Sequence, residues 1–394
     1  MDNLPLLIWS IILVPGCLYW IIGGFLDYRQ TRLVRPLVKL NPPDPKRWPR
    51  VSVIVPACNE AATLEQAVRS KLDSDYPDFE VVLVNDRSTD GTDEIVDRLA
   101  REDPRVKAVH VSDLPEDWLG KPHALSKGLE AATGDWFLFT DADVHFSRDI
   151  MRRTVAYCED KCIDQLGVVP YIWTNNLLLN ATLLTYVRLF SLLSVFWGMC
   201  RVKSRAYTGI GAFNLVRRAA YEKTDGFQWL KLEIMDDVAL GMMIKRSGGH
   251  VSLLNGNRDV KVIWYPGIRE MTVGLEKGTY SSLGNFSFRR TIFWAGMFLA
   301  VEMAPIMAIL TFGSPLTQTM GVIAWTVGLL TSIRISRWCN GKLLPAFIFP
   351  LGTIIFVCMI VRGGWLGWRR DGVLWRGTYY SEDLLRNGKR FSLP

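Results

Sequence analysis

Two pairs of carboxylates carry the chemistry open to this chain. Asp141 and Asp143 stand one residue apart, directly after the apolar run Trp136-Phe137-Leu138-Phe139-Thr140. Asp236 and Asp237 are adjacent and lie about ninety residues later, ahead of Val238-Ala239-Leu240-Gly241. Carboxylates on a tight loop suit a hard divalent cation, Mg²⁺ or Mn²⁺. Such a cation binds through one or two carboxylates and completes its shell with substrate phosphates. A carboxylate on the far side of a substrate suits proton abstraction from a hydroxyl. The plain alternative for Asp236-Asp237 is an acidic helix start, because carboxylates favour the first turn.

The surrounding segments predict how these groups are held. Strands are expected at 51–56, 79–85, 106–111 and 136–140, and helices at 61–72, 91–102 and 122–132. This alternation predicts an α/β domain with a mostly parallel sheet covered by helices. Its ligands are expected at the carboxyl ends of the strands. Each chemistry-bearing segment falls at such an end. Val51 to Val55 runs into Pro56, Asn59 and Glu60. Phe79 to Val84 runs into Asp86, Ser88, Asp90, Gly91 and Thr92. Gly120, Lys121, Ala124 and Leu125 open the third helix. The glycine-bracketed segment Tyr207 to Asn214, with Gly209 and Gly211, is expected on the acceptor side.

In this order the motifs resemble glycosyltransferase family 2, the inverting GT-A type, over about residues 50–270. The family's P-x-x-N-E turn is matched by Pro56, Asn59 and Glu60. Its D-x-S-x-D-G-T turn is matched by Asp86, Ser88, Asp90, Gly91 and Thr92, and its G-K-x-x-A-L segment by Gly120, Lys121, Ala124 and Leu125. A D-x-D and a later acidic pair follow. The resemblance implies a Rossmann-like nucleotide-diphospho-sugar transferase fold. It implies a donor held on Pro56, Glu60, Asp86, Lys121 and Asp141, a divalent cation on Asp143 with Asp141, and Asp237 as the general base. The family has Glu before that base, and Asp236 stands there in this chain, so either acid of the pair is a candidate. His145, two residues past Asp143, is a candidate additional ligand, and His123 a candidate donor contact.

Half the chain is apolar, and long uncharged runs lie near its ends. Leu4 to Leu26 and Leu343 to Val361 carry no charge, and Thr291 to Ile333 carries only Glu302. Runs of about twenty apolar residues are long enough to cross a bilayer. The expected organisation is a membrane anchor at 1–28, a basic and proline-rich linker at 29–49, the GT-A domain at 50–285, membrane helices at 286–366 and a basic tail at 367–394. Arg29, Arg32, Arg35, Lys39, Lys46, Arg47 and Arg50 follow the anchor and place that side, with the catalytic domain, in the cytoplasm. One span before the domain and three after it would put the basic tail on the other side. Either one segment does not cross, or Pro15-Gly16 breaks the first into a hairpin. Residues 180–200 carry one charge, Arg188, and are expected as a buried helix or as one dipping into the interface beside the site.

The net charge of +7 fits anionic headgroups, and no nucleic-acid motif accompanies it. The seven cysteines are scattered and read as reduced thiols. The Q-x-x-R-W signature of polymerising members is absent. The tail Trp375-Arg376-Gly377-Thr378-Tyr379-Tyr380 resembles the W-[KR]-G-R-x-Y ending of members that glycosylate membrane lipids such as hopanoids, carotenoids or ceramides, with Thr378 in place of Arg. Trp375 and Arg376 thereby become candidate acceptor or phosphate contacts. The reading is a multi-pass membrane enzyme moving one sugar from a nucleotide-diphosphate donor to a lipid. Its rivals are a processive polysaccharide synthase and a non-catalytic membrane scaffold. Sugar, base, lipid and oligomeric state are not encoded in these motifs.

Overall fold

The computed structural model describes residues 4–194, 196–199, 204–311 and 315–390. Its α/β domain is built on β1 (Val51–Ala57), β2 (Phe79–Asp86), β3 (Val106–Val111) and β4 (Trp136–Phe139). The minor strand β5 (His145–Phe146) follows, then β6 (Gln165–Val169), β7 (Asn214–Arg217) and β8 (Val251–Asn255). Seven of these form one sheet in the order β3-β2-β1-β4-β7-β6-β8. Every residue of β2 is buried, as a strand covered on both faces requires. Chain direction reverses its outward march between β1 and β4, which are parallel neighbours. That switch point opens a crevice beyond the strands' carboxyl ends.

The expected parallel sheet has one exception among the described residues. β7 runs antiparallel to both β4 and β6. Its first residue, Asn214, is level with Phe139, the last of β4. An antiparallel strand starts where its parallel neighbour ends, so the Gly209–Phe213 loop is delivered beside Asp141. Pro56 is tolerated inside β1 for a similar reason of register. Thr140 N–H donates to the Ile54 carbonyl, so even-numbered residues of β1 face β4. Pro56 lies past the end of β4, and its missing N–H forfeits no ladder bond there. β5 pairs separately with β9 (Val260–Lys261), and β10 (Gly372–Trp375) with β11 (Thr378–Ser381).

Outside this domain, Phe288–Ile309, Pro315–Trp338 and Phe349–Arg370 are long and apolar enough to cross a membrane. The first two bury little of their length, so most of their apolar surface faces outward. The helix Leu4–Leu33 is continuous through Pro15 and is not a hairpin. It runs beside Pro315–Trp338 in the same direction: Trp20 lies against Gly328, and the Val34 carbonyl accepts from Trp338 Nε1 at 3.1 Å. Phe349 packs on Trp20 and Trp325, so the last long helix begins at the level of mid-bundle residues. It ends at Arg370 beside the α/β domain, and the tail is therefore on the domain's side.

The 180–200 segment forms the helix Leu177–Leu193, largely buried, and the turn Phe196–Met199. Residues 195 and 200 lie outside the described set. Its one charge, Arg188, meets the one charge of the next apolar region, Glu302. Arg188 Nη1 donates to Glu302 Oε1 at 2.7 Å. Tyr19 and Thr353 hydroxyls donate to the same carboxylate, and the guanidinium lies 4.3 Å from the Trp20 ring centre. One ion pair thus joins a helix of the α/β domain to three long helices.

Candidate active site

Four loops converge at the sheet's carboxyl edge. The loops after β1 and β2 are stitched together by their own motif residues. Asn59 Oδ1 accepts from Thr89 N–H at 2.8 Å, and Asp90 Oδ2 from Ala61 N–H at 3.0 Å. Ser88 and Thr92 hydroxyl oxygens accept from Asn59 and Glu60 N–H. Asn59 adopts φ 57° and Gly91 φ 87°, left-handed conformations that Asn and Gly tolerate. These motif residues therefore shape the loops, and Glu60 and Asp86 project their carboxylates. Asp86 is buried and paired with Arg87, whose Nε donates to it at 2.8 Å.

The loop after β4 supplies Asp141, whose Oδ1 accepts from Lys121 Nζ at 2.7 Å. Lys121 also stands 3.9 Å from Asp236. Burial works against the Lys121 charge, but Asp141, Asp236 and Asp237 outweigh it and hold the ammonium above its ordinary range. Burial likewise opposes the Asp141 carboxylate, and Lys121 outweighs that and holds its pKa down. Among the described residues Asp143 forms no ion pair, and the pull of the buried Lys71 on it is the weaker influence. Burial, then Asp141 and Glu60, push it up to about 6.

Asp236 and Asp237 begin the helix Asp236–Arg246. Asp237 is held at both oxygens: Gly211 N–H donates to Oδ2 and Val238 N–H to Oδ1, each at 2.8 Å. Burial still raises its pKa. Asp236 is buried, and burial pushes it up to about 6. Gly211 stands where all these groups meet. A side-chain carbon there would lie 3.2 Å from Asp141, 3.4 Å from Lys121 and 3.5 Å from Asp237. At Gly209 it would lie 1.9 Å from the Asp237 carbonyl, so only glycine fits.

The C-terminal hairpin covers the crevice at Cys58 and Glu60. Its turn residues Arg376 and Gly377 have φ 49° and 82°, the conformation a two-residue hairpin needs. Arg376 donates to the Cys58 carbonyl at 2.6 Å and to Glu60 at 2.7 Å. Gly120 N–H donates to the Tyr380 hydroxyl at 3.4 Å.

The structure thus brings together Lys121, Asp141, Asp236, Asp237, Gly209 and Gly211, with Asp143, Glu60, Asp86, Trp375 and Arg376 around them. His145 does not complete a metal cluster, because no group of three His, Cys, Asp or Glu side chains is placed to hold an ion among the described residues. His123 is buried, edge-on to Trp118, behind the crevice. The six described cysteines are free. Two lysines that no motif marks belong to the site. Lys277 lies with its ammonium 3.6 Å from the Trp375 ring centre. Lys71 is fully buried beneath the Asp141–Asp143 loop, donates to the Val144 carbonyl, and is pushed down to about 7 by burial against the pull of Asp143 and Asp141.

The donor set fits a divalent cation that brings its own phosphate ligands. Asp143 is a half-buried carboxylate crowded by other carboxylates, Asp141 stands beside it, and both offer hard oxygen. Two protein carboxylates are what Mg²⁺ or Mn²⁺ requires when a diphosphate completes the shell.

Residues 52–225 match the family model of Glycosyl transferase family 2. The fold and the motif order agree with that match, and residues 52–225 form a glycosyltransferase family 2 domain. Glycosyltransferase AglD of Haloferax volcanii is 43% identical over 99 residues, covering 24% of this chain and 15% of the relative. Beta-monoglucosyldiacylglycerol synthase of Synechocystis sp. is 30% identical over 164 residues, covering 38% and 34%. The chain therefore spans about a third or less of these curated relatives. The mannosyltransferase PcManGT from Pyrobaculum calidifontis, solved with GDP-Man and Mn²⁺, shares the fold. It superposes with a TM-score of 0.54 at 20% identity, over 92% of this chain and 99% of that one.

Proposed function

We propose that the protein transfers one sugar from a nucleotide-diphosphate donor to a membrane lipid, with inversion at the anomeric carbon. One observation carries the reading: the carboxylate crevice is roofed by a hairpin that continues directly from a helix long and apolar enough to span a bilayer. The same arrangement supports a cytoplasmic catalytic domain on a multi-pass anchor, at 1–28 and 286–366, with the basic tail at 367–394 on the domain's side.

Asp237 is the base. Its two backbone hydrogen bonds fix the carboxylate, and burial raises its affinity for the acceptor hydroxyl's proton. A single in-line displacement then suffices and needs no nucleophilic carboxylate. Lys121 holds Asp141 in place and faces the position of the donor sugar and diphosphate. Pro56, Glu60 and Asp86 line the side assigned to base and ribose. A divalent cation on Asp143 and Asp141 would neutralise charge on the leaving diphosphate. Gly209 and Gly211 leave the acceptor side open to a hydroxyl.

The test is mass spectrometry of lipids from nanodiscs containing the protein, native lipid extract and isotope-labelled nucleotide sugars. The expected product is a lipid heavier by one hexose-class unit. A long polymer would instead make it a processive synthase. Release of no nucleotide from any donor, with no lipid product, would leave a scaffold.

A further inference from the structure

We propose that Lys277, stacked on Trp375, is a phosphate-contacting residue of the crevice, set in place by the last long helix. This deepens the donor-and-lipid reading and rests on it. The other cations of the crevice have partners: Lys121 donates to Asp141 and Arg376 to Glu60, both at 2.7 Å. No carboxylate among the described residues closes an ion pair with Lys277. Its ammonium lies 3.6 Å from the Trp375 ring centre, which leaves its N–H donors to the crevice. Asp236, Asp141, Lys121 and Arg376 all act on it electrostatically, so it shares their space. Burial first, then Lys121, pushes its pKa down to about 8, against the pull of Asp236 and Asp141, neither of which closes an ion pair with it, so an arriving anion would meet a donor that no carboxylate among the described residues occupies.

The neighbouring residue explains how it is positioned. Glu276 is clamped by Arg362 and Arg370 of the helix Phe349–Arg370. Gly363 on that helix comes so close that an added side-chain carbon would lie 3.2 Å from the Glu276 Cα. Trp375 follows the same helix by five residues. The helix therefore supplies both the clamp below Lys277 and the aromatic face beside it. A phosphate can come from two sources here, the donor's diphosphate or a lipid acceptor's headgroup, and both offer the same oxygens.

Lys277→Met keeps an apolar stem on the indole and removes the charge. In nanodiscs, affinities of the Met variant and the parent are measured for UDP and GDP, with uridine and guanosine as controls, and for undecaprenyl phosphate, with diacylglycerol as control. A lost charged hydrogen bond is expected to weaken one phosphate probe by about 10-fold or more, with the uncharged controls unmoved. Loss confined to UDP or GDP assigns the donor diphosphate, and loss confined to undecaprenyl phosphate assigns the acceptor. Lys277→Arg should keep most of the affinity, and Trp375→Leu should lose a smaller part in the same arm, which covers a Met variant that fails to fold. Parent affinity in both arms for Lys277→Met, or an Arg variant as weak as Met, overturns the inference. A parent protein that binds none of the phosphates removes the donor reading and this inference together.

Discussion

The molecule holds two buried groups of charge, and they are built differently. In the bundle, Arg188 and Glu302 form a direct pair whose remaining capacity is taken by Tyr19, Thr353 and the Trp20 ring, with the Asp27 carboxylate buried nearby. In the crevice, Asp141, Asp143, Asp236 and Asp237 face Lys121 and Lys277, with Lys71 beneath their loop, and the four acids outnumber the three lysines. Asp143 and Asp236 stay protonated to unusually high pH because burial and the neighbouring acids outweigh the nearby lysines, Lys71 for Asp143 and Lys121 for Asp236. A matched pair of this kind fixes geometry. An unmatched cluster stores unfavourable desolvation that a ligand relieves, and perturbed carboxylates in a cleft mark functional sites.

The sharpest way to break the comparison is to remove acids from the crevice. Asp143→Ala should abolish turnover and metal-dependent donor binding, and EDTA should do the same to the parent. Thermal stability should hold or rise, because a half-buried carboxylate without an ion pair is lost. Full activity in EDTA would show that the unmatched acids serve something other than a cation. Next in size, Asp237→Asn should lower kcat and kcat/KM together by ~10²–10⁴-fold with donor affinity little changed. Asp236→Asn should cost less. A dead Asp236→Asn beside a near-normal Asp237→Asn moves the base by one residue, and two active variants reduce the pair to a helix start.

The bundle should answer in stability instead. Arg188→Met or Glu302→Gln alone strands the other partner in an apolar setting, at about 3–5 kcal/mol. The double variant Arg188→Met, Glu302→Leu should recover most of that loss and retain turnover per folded molecule. Denaturation in detergent with donor turnover measured alongside checks this. A double variant that is stable but inactive would place Arg188 and Glu302 in the reaction, and the comparison would fail.

What the sequence revealed follows the range of the interactions involved. β1, β2 and β4 were legible because apolar, β-branched runs end abruptly in Pro56, Asp86 and Asp141, and both signals are local. β7 was not: Asn214 to Arg217 is four residues long, and its antiparallel direction comes from pairing with β4 far earlier in the chain. The loop glycines were visible, but only β7's direction puts Gly211 between Asp141 and Asp237. Arg188 and Glu302 were each visible as the only charge of an apolar region, and 114 residues separate them. Lys277 and Lys71 carry no local mark, because each is defined by an element that folds onto it from elsewhere. Lys277 depends on Trp375, and Lys71 on the Val144 carbonyl.

The smallest expected effect is a pH dependence, and its sign distinguishes the two regions again. Asp236 has a folded-state pKa raised to about 6, above the ordinary value near 3.8. A carboxyl group raised on folding binds its proton more tightly in the native state. Its contribution to stability is full below about pH 4 and is lost as pH rises through 6. Activity needs the ionised crevice and should run the other way, falling as pH drops through 6. Between pH 4 and 6 the melting temperature and the turnover rate should therefore slope in opposite directions, before general acid unfolding intervenes. Asp236→Asn is neutral at every pH and should flatten part of the stability slope, with a small gain at pH 7. The Arg188 and Glu302 double variant should leave that slope as it is in the parent. If Asp236→Asn lowers stability at pH 7 and keeps the slope, its carboxylate is matched after all, and the crevice is wired like the bundle.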